Sequence, residues 1–291
     1  MRSIEAAVRS AAPELADRPL QPTRDLFDAW RQLHYAAQMA SEVGKGWAPP
    51  QPDDSHSSLS FEEGCLVGAW APGAPRFRAA LGAADLVLSL VDEQGEVLAR
   101  RELVGANFAE GMAWVRAAAA QAAGEPQRQR TRPAPDLPEH AVATGSPFAV
   151  RGSAFEEVAR LLGEADAVLR AVADVLEAGP VRIWPHHFDL ATLAVLEERP
   201  GEPLATMGVG LAVPDAIEDS GYWYVSPWTR REISGGEAWP RLPAGRWIER
   251  GGALRMAALP LGALAAGADR RAILARFLAD AVGACLAALR G

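Results

Sequence analysis

Two short segments concentrate the imidazole and carboxylate groups of this chain. One reads Trp184-Pro185-His186-His187-Phe188-Asp189-Leu190-Ala191-Thr192 and holds two of the five histidines. The other, Pro52-Asp53-Asp54-Ser55-His56, repeats the same residue types in inverted order. In an extended chain, residues two apart point the same way, so Asp54 would share a face with His56, and His187 with Asp189. Asp53, Ser55, His186 and Phe188 would then take the opposite side. Proline is tolerated at the first residue of a strand, where Pro52 and Pro185 would sit. Side by side, the two strands would set acids against imidazoles at the mouth of a sheet.

Such a group could do three things. As a mixed nitrogen and oxygen ligand set, Asp54, His56, His187 and Asp189 suit a divalent zinc, iron, manganese or nickel ion. An ion with an open position would polarise a carbonyl or acidify a bound water. Without metal, a carboxylate bonded to an imidazole fixes its tautomer and raises its proton affinity, so His187 opposite Asp54 could act as a general base. In the third case the acids simply satisfy buried histidines, since an unpartnered buried polar group costs about 1–3 kcal/mol. His186 and Asp53 are the acid–base partners of the first two schemes, and Glu218 or Asp219 adds a further carboxylate. No HExxH or CxxC spacing accompanies the motifs.

Downstream, an acidic loop from Asp215 to Ser220 precedes Tyr222-Trp223-Tyr224-Val225-Ser226-Pro227-Trp228. Tyr222, Trp223, Tyr224 and Trp228 could wall a substrate pocket, because pockets combine apolar surfaces with a few convergent polar groups. Strand alternation would equally put Tyr222 and Tyr224 on one face and Trp223 on the other. His34 falls in helical register with Phe27 and Trp30 and could aim at the same site or be a partly buried helix-face residue, while His140 is expected in solvent. Gly208-Val209-Gly210 lacks the third glycine and the helix of a dinucleotide fingerprint, so no nucleotide cofactor is expected. Nor is there a phosphate loop, a Gly-x-Ser-x-Gly elbow or a kinase motif set.

Composition narrows the partners to small molecules. A formal charge of -8 disfavours a grip on nucleic acid. The one arginine cluster, Arg128, Arg130 and Arg132, lies in a proline-rich stretch and reads as solvated. Lys45 is the single lysine, and its place between Gly44 and Gly46 at a helix end argues against Schiff-base chemistry. Cys65 and Cys285 both lie in apolar patterns, as reduced buried thiols do. No membrane span or signal peptide is expected, which makes a cytoplasmic location the default. Oligomeric state is not readable.

Periodicity outlines the elements that must position these residues. Residues 1–22 form an arm. Leu26, Phe27, Trp30, Leu33, Ala37, Ala40 and Val43 recur at helical steps, with Gly44 and Gly46 at the end. Strands are expected at 57–70, 85–92 and 96–103, the last two joined at Glu93-Gln94-Gly95, followed by a helix capped by Asn107 and Glu110. Five prolines break 124–147. A helix opened by Ser153 and Glu156, strands at 181–197, 204–213, 222–228 and 247–259, and a closing helix through Cys285 complete the chain. The expected fold is α+β, with an arm at 1–22, a half at 23–125, a connector at 126–150 and a half at 151–291. Each half runs helix, antiparallel strands, helix, which suggests an internal duplication fused into one unit.

The WPHHFD string, the Tyr222–Trp228 segment and Pro50-Gln51-Pro52-Asp53-Asp54-Ser55-His56 together resemble a family of bacterial proteins to which no activity is assigned. That resemblance implies that the three segments belong together, and implies no reaction or cofactor. The expectation carried forward is a small-molecule enzyme with a His and Asp centre holding a divalent metal. The alternative is a non-catalytic binding or structural module in which the same residues form a buried hydrogen-bond network.

Overall fold

The computed structural model describes residues 3–11, 23–126, 137–150, 152–200, 202–215, 217–231, 239–249, 255–265 and 269–290. The protein is α+β, with six α-helices among the described residues and two antiparallel sheets. It divides into two compact units. The first comprises Thr23–Gly163 with Arg182–Phe188, and the second Met1–Pro22, Glu164–Val181 and Asp189–Gly291. The division therefore falls inside a helix rather than at the proline-rich stretch. Arg128, Arg130 and Arg132 of that stretch lie outside the described residues, as does most of the arm beyond helix α1 (Ile4–Ala11).

The first unit is organised on helix α2 (Arg24–Trp47). Thr23 caps it, accepting the Leu26 N–H at 3.2 Å. The expected apolar stripe is present, but the burial goes further: every residue from Gln32 to Gly44 is buried. A helix enclosed on all sides must satisfy its polar side chains internally. Helix α3 (Phe108–Ala123) lies against it and opens on the expected capping box of Asn107 and Glu110. Five strands form a simple meander: β1 (Ser60–Glu62), β2 (Cys65–Val67), β3 (Phe77–Gly82), β4 (Val87–Asp92) and β5 (Val97–Glu102). Gly95, at φ +84°, makes the turn between β4 and β5 as its position suggested.

Two expected strands are broken. The 57–70 run is instead a hairpin turning at Glu63 and Gly64, both left-handed, after a 3-10 turn at Ser55–Ser57. The 181–197 run divides at a turn over Pro185–Phe188 into β6 (Arg182–Trp184), in the first unit, and β7 (Asp189–Arg199), in the second. Leu59 and Ile183 exchange backbone hydrogen bonds of 2.9 and 2.7 Å, which fixes β6 beside the chain leaving the 3-10 turn.

Helix α4 (Ala154–Leu176) starts directly after Ser153 and runs from the first unit into the second. In the second unit β7 is followed by β8 (Glu202–Ala212), β9 (Tyr222–Thr229), β10 (Arg246–Glu249) and β11 (Arg255–Pro260), ordered β7-β8-β9-β11-β10. The 247–259 segment is thus a hairpin rather than one strand. Helices α5 (Leu261–Ala265) and α6 (Arg270–Arg290) follow. One face of the sheet is dry, with Leu190, Leu211, Trp223 and Leu259 in one row and Val209, Val225 and Ala257 in the next. Helix α6 lies against β9, burying Leu274, Phe277, Leu278, Val282 and Cys285. By length and composition α6 could also cross a membrane. The two sheets do not repeat one another in strand order, so the duplication is not visible in the topology.

Gly44 sits where the 3-10 turn crosses α2, and a Cβ there would intrude on the His56 carbonyl oxygen. Backbone cannot retreat as a flexible side chain can. Gly44→Ala is expected to destabilise the chain by about 1–3 kcal/mol in denaturant unfolding, and an unchanged midpoint would show that the crossing is looser than described.

Candidate functional site

The Asp53–His56 segment does not alternate faces as a strand would. Asp54 is left-handed, at φ 63°, and leads into the 3-10 turn. Asp53 Oδ1 accepts the Ser55 N–H at 3.0 Å, and the Ser55 hydroxyl and N–H hold the exposed Asp53 carboxyl below its usual range. His56 Nε2 stands 3.7 Å from Asp54 Oδ1, while its Nδ1 accepts the Gln51 N–H at 3.1 Å. With Nδ1 accepting, the neutral ring carries its proton on Nε2, towards the carboxylate. Asp54 and His56 do meet, but through the turn and not through strand alternation.

The histidine motif is likewise a turn. His187 and Phe188 both donate their N–H to the Trp184 carbonyl, at 3.2 and 2.6 Å, and Phe188 is left-handed at φ 58°. A bulky residue in that region is strained and persists only where its surroundings hold it. Here the hold comes from α2. The buried His34 ring stacks on Phe188 at 5.0 Å and 11°, and His34 Nε2 donates to the Pro185 carbonyl at 2.8 Å. Gln38 Nε2 donates to the same oxygen at 2.6 Å. His34 is therefore a tether under the turn and not a wall of a pocket. Burial pulls its pKa down to about 4, more than the Pro185 carbonyl restores, and His187 and His186 push it the same way. His186 and His187 themselves are exposed, with ring centres 4.5 Å apart. His140, expected in solvent, is instead partly buried and bonds Asp28 Oδ1 at 3.0 Å.

Asp189 belongs to the second unit, where it opens β7. Tyr224 of β9 reaches over the intervening β8 and donates its hydroxyl to Asp189 Oδ2 at 2.6 Å. The reach is possible because Gly210 lies between: a Cβ there would stand 2.7 Å from Tyr224 and 2.8 Å from Ala191. Cross-strand register puts Leu193, Gly208 and Ser226 in the next row, and Val195, Thr206 and Trp228 in the row after. Leu193, Val195 and Trp228 are 50%, 48% and 43% exposed. This face of the sheet is accordingly a glycine-floored surface with aliphatic and aromatic sides and a carboxylate–phenol pair at one end.

The other expected pocket residues take different roles. Trp223 points into the core on the opposite face, as alternation requires. Tyr222 is buried beside Ala212, Met256 and Ala258, and its hydroxyl donates to Asp215 Oδ2 at 3.0 Å. Glu218 bonds Arg246 Nη2 at 3.2 Å and accepts from the Ser220 hydroxyl, so it ties its own loop. Of the expected four-residue centre, only Asp54 and His56 are paired. Among the described residues no three His, Cys, Asp or Glu side chains stand where they could share a metal ion. Leu193 and Val195 carry no local signal of a site, and Gly208 and Gly210 suggest only an incomplete dinucleotide fingerprint, because only cross-strand register gathers the four. Gln38 escaped notice because a helical glutamine carries no local signal of burial.

His34 makes stability depend on pH. The unfolded chain takes its proton near the ordinary 6.5, whereas the folded chain refuses it until about 4. This contribution is complete above pH 6.5, declines as the pH falls towards 4 and is level below that, amounting to roughly 3 kcal/mol at most. Denaturant unfolding across that window should show the decline, and His34→Gln should flatten it. An acid limb equally steep in the variant would assign it to other groups. No family model, curated protein or solved structure matches this chain.

Proposed function

We propose that the protein is a small-molecule enzyme whose ligand lies on the open sheet face of the second unit, with Tyr224 and Asp189 as its acid–base pair. The observation that carries this is the 2.6 Å hydrogen bond from Tyr224 to Asp189 across Gly210. A hydroxyl donating to a carboxylate is among the stronger hydrogen bonds, and it holds the phenol in one orientation. The carboxylate keeps accepting capacity for a donor on the ligand. Asp189 can take a proton from a donor on the ligand while the phenol turns its one hydrogen from Asp189 to a ligand oxygen or nitrogen, and the proton gained by Asp189 then passes back to the phenolate. Flat apolar matter would rest on Gly208 beside the Tyr224 ring that covers Gly210, flanked by Leu193, Val195 and Trp228. Proton transfer at this pair requires no metal ion.

The alternative role, a hydrogen-bond network, suits the first unit's histidine motif. Two buried donors, His34 Nε2 and Gln38 Nε2, converge on the Pro185 carbonyl. Groups arranged in this way shape the backbone and leave no proton to exchange with a substrate.

A thermal-shift screen of small aromatic and heteroaromatic compounds, followed by calorimetry on hits, tests the sheet-face site. Trp228→Ala should weaken hits about tenfold or more, an effect on the order of 1.4 kcal/mol, with little change in melting temperature because the side chain is half exposed. Tyr224→Phe should keep affinity within a few-fold and abolish turnover of any compound the wild type converts. Hits that bind both variants as they bind the wild type would remove the site.

A further inference from the structure

The open sheet face of the second unit is electrostatically lopsided. At one end Asp189 Oδ2 accepts the Tyr224 hydroxyl, while Oδ1 has no partner among the described residues and is not sealed from solvent. No arginine, lysine or histidine pairs with this carboxylate there. Tyr222, whose ring centre lies 6.3 Å from that of Tyr224, bonds a second carboxylate, the exposed Asp215, which likewise meets no cation among the described residues. The other end is balanced. Arg230 lies 5.9 Å from the centre of the Trp228 ring, but Glu202 meets its charge at 2.7 Å, and Glu197 meets that of Arg231. Between the ends lie Gly208 and the exposed Leu193 and Val195.

We infer that the ligand of this face is an arylalkylammonium, a flat aromatic ring joined by a short chain to a protonated amine. The inference rests on the sheet-face site proposed above and names the class of compound it takes. An ammonium has only donors to offer, and Asp189 Oδ1 is a free acceptor of opposite charge, so the hydrogen bond between them is charge-assisted. The Tyr224 side chain measures the gap to the apolar floor: its Cε2 stands 3.8 Å from the point where a Gly208 Cβ would lie, and its hydroxyl touches Asp189. Floor and carboxylate are therefore one phenol ring and two contacts apart, on the order of 9 Å. A two-carbon chain between amine and ring covers that span. The ring then rests on Gly208 against Leu193 and Trp228, away from the carboxylates. A ligand with a carboxylate of its own would meet unbalanced like charge at Asp189 and, near Trp228, only arginines already paired. The formal charge of -8 on the whole chain favours the same sign of ligand.

Tryptamine, tryptophol and indolepropionate share one ring and differ in charge, and calorimetric titration of the full-length chain with each, near neutral pH and at low salt, tests this. Tryptamine should bind on the order of tenfold more tightly than tryptophol, and indolepropionate more weakly than either. The advantage of the amine should shrink as salt is raised to about 0.5 M. Asp189→Asn should weaken tryptamine about tenfold and leave tryptophol within about twofold, whereas Trp228→Ala should weaken both alike. Equal affinities for amine and alcohol, both reduced by Trp228→Ala, would overturn the inference and leave the sheet-face site standing. Tryptamine binding indifferent to Trp228→Ala would put the amine elsewhere and overturn both. Failure of all three compounds to bind would overturn the inference and leave the site to the wider aromatic screen. The three-compound comparison is made on the unsubstituted protein, so it decides the charge preference even where Asp189→Asn fails to fold.

Discussion

The first unit depends on the complete enclosure of α2. A helix with one wet face can leave its polar side chains in water, but from Gln32 to Gly44 this one cannot, and most of its polar side chains find partners on distant backbone or side chains. Gln32 holds Ala149 through both its amide groups, Tyr35 bonds the Pro138 carbonyl, Ser41 bonds the Ser57 carbonyl, and Trp47 bonds the Glu125 carbonyl. His34 and Gln38 take Pro185, and Glu42 takes Arg116. Because a buried polar atom without a partner costs about 1–3 kcal/mol, every one of these contacts penalises a wrong loop path. The loops are thereby specified from within, by a helix whose own sequence looks merely amphipathic.

The second unit solves the opposite problem. A sheet covered on one face by α6 leaves the part of its other face around Leu193, Val195 and Trp228 to water, and antiparallel sheets ordinarily make such a surface polar. Here its middle is small and its flanks are apolar. Gly208 and Gly210 weaken β8 as a strand, since glycine contributes no packing and loses more entropy on folding. At Gly210 the compensation is visible, because it lets Tyr224 lie flat across the sheet and reach Asp189. Such a concession in stability at the place where a phenol is oriented accords with a site held for ligand chemistry.

How much of this was legible in the sequence follows from whether each signal is local. The α2 stripe, the Asn107–Glu110 capping box and the Gly95 hairpin were readable because the relevant residues lie within a few positions of one another and glycine marks the turn. The breaks at Asp54 and Phe188 were not, because both are non-glycine residues in the left-handed region, whereas at Glu63 the adjacent Gly64 does mark the turn. Nothing in Trp184-Pro185-His186-His187-Phe188 distinguishes a strand from a turn until Phe188 is seen stacked on His34, and that stacking is a contact between residues far apart in the chain. Strand alternation holds for Tyr222, Trp223 and Tyr224 and fails for the two acid–histidine motifs for the same reason: it applies only where the chain is a strand. Asp54 and His56, expected on one face of a strand, stand 3.7 Å apart across a turn instead.

Enclosure of α2 also governs the chemistry at its last turn. A lysine at the end of an exposed helix would keep its ammonium, stabilised by water and by the negative end of the helix dipole. Both the dipole and Asp54 favour the charged form at Lys45, yet desolvation outweighs them and the net shift is downward. Its amine is thus held partly out of water at the end of the helix whose preceding residues, Gln32 to Gly44, are all buried.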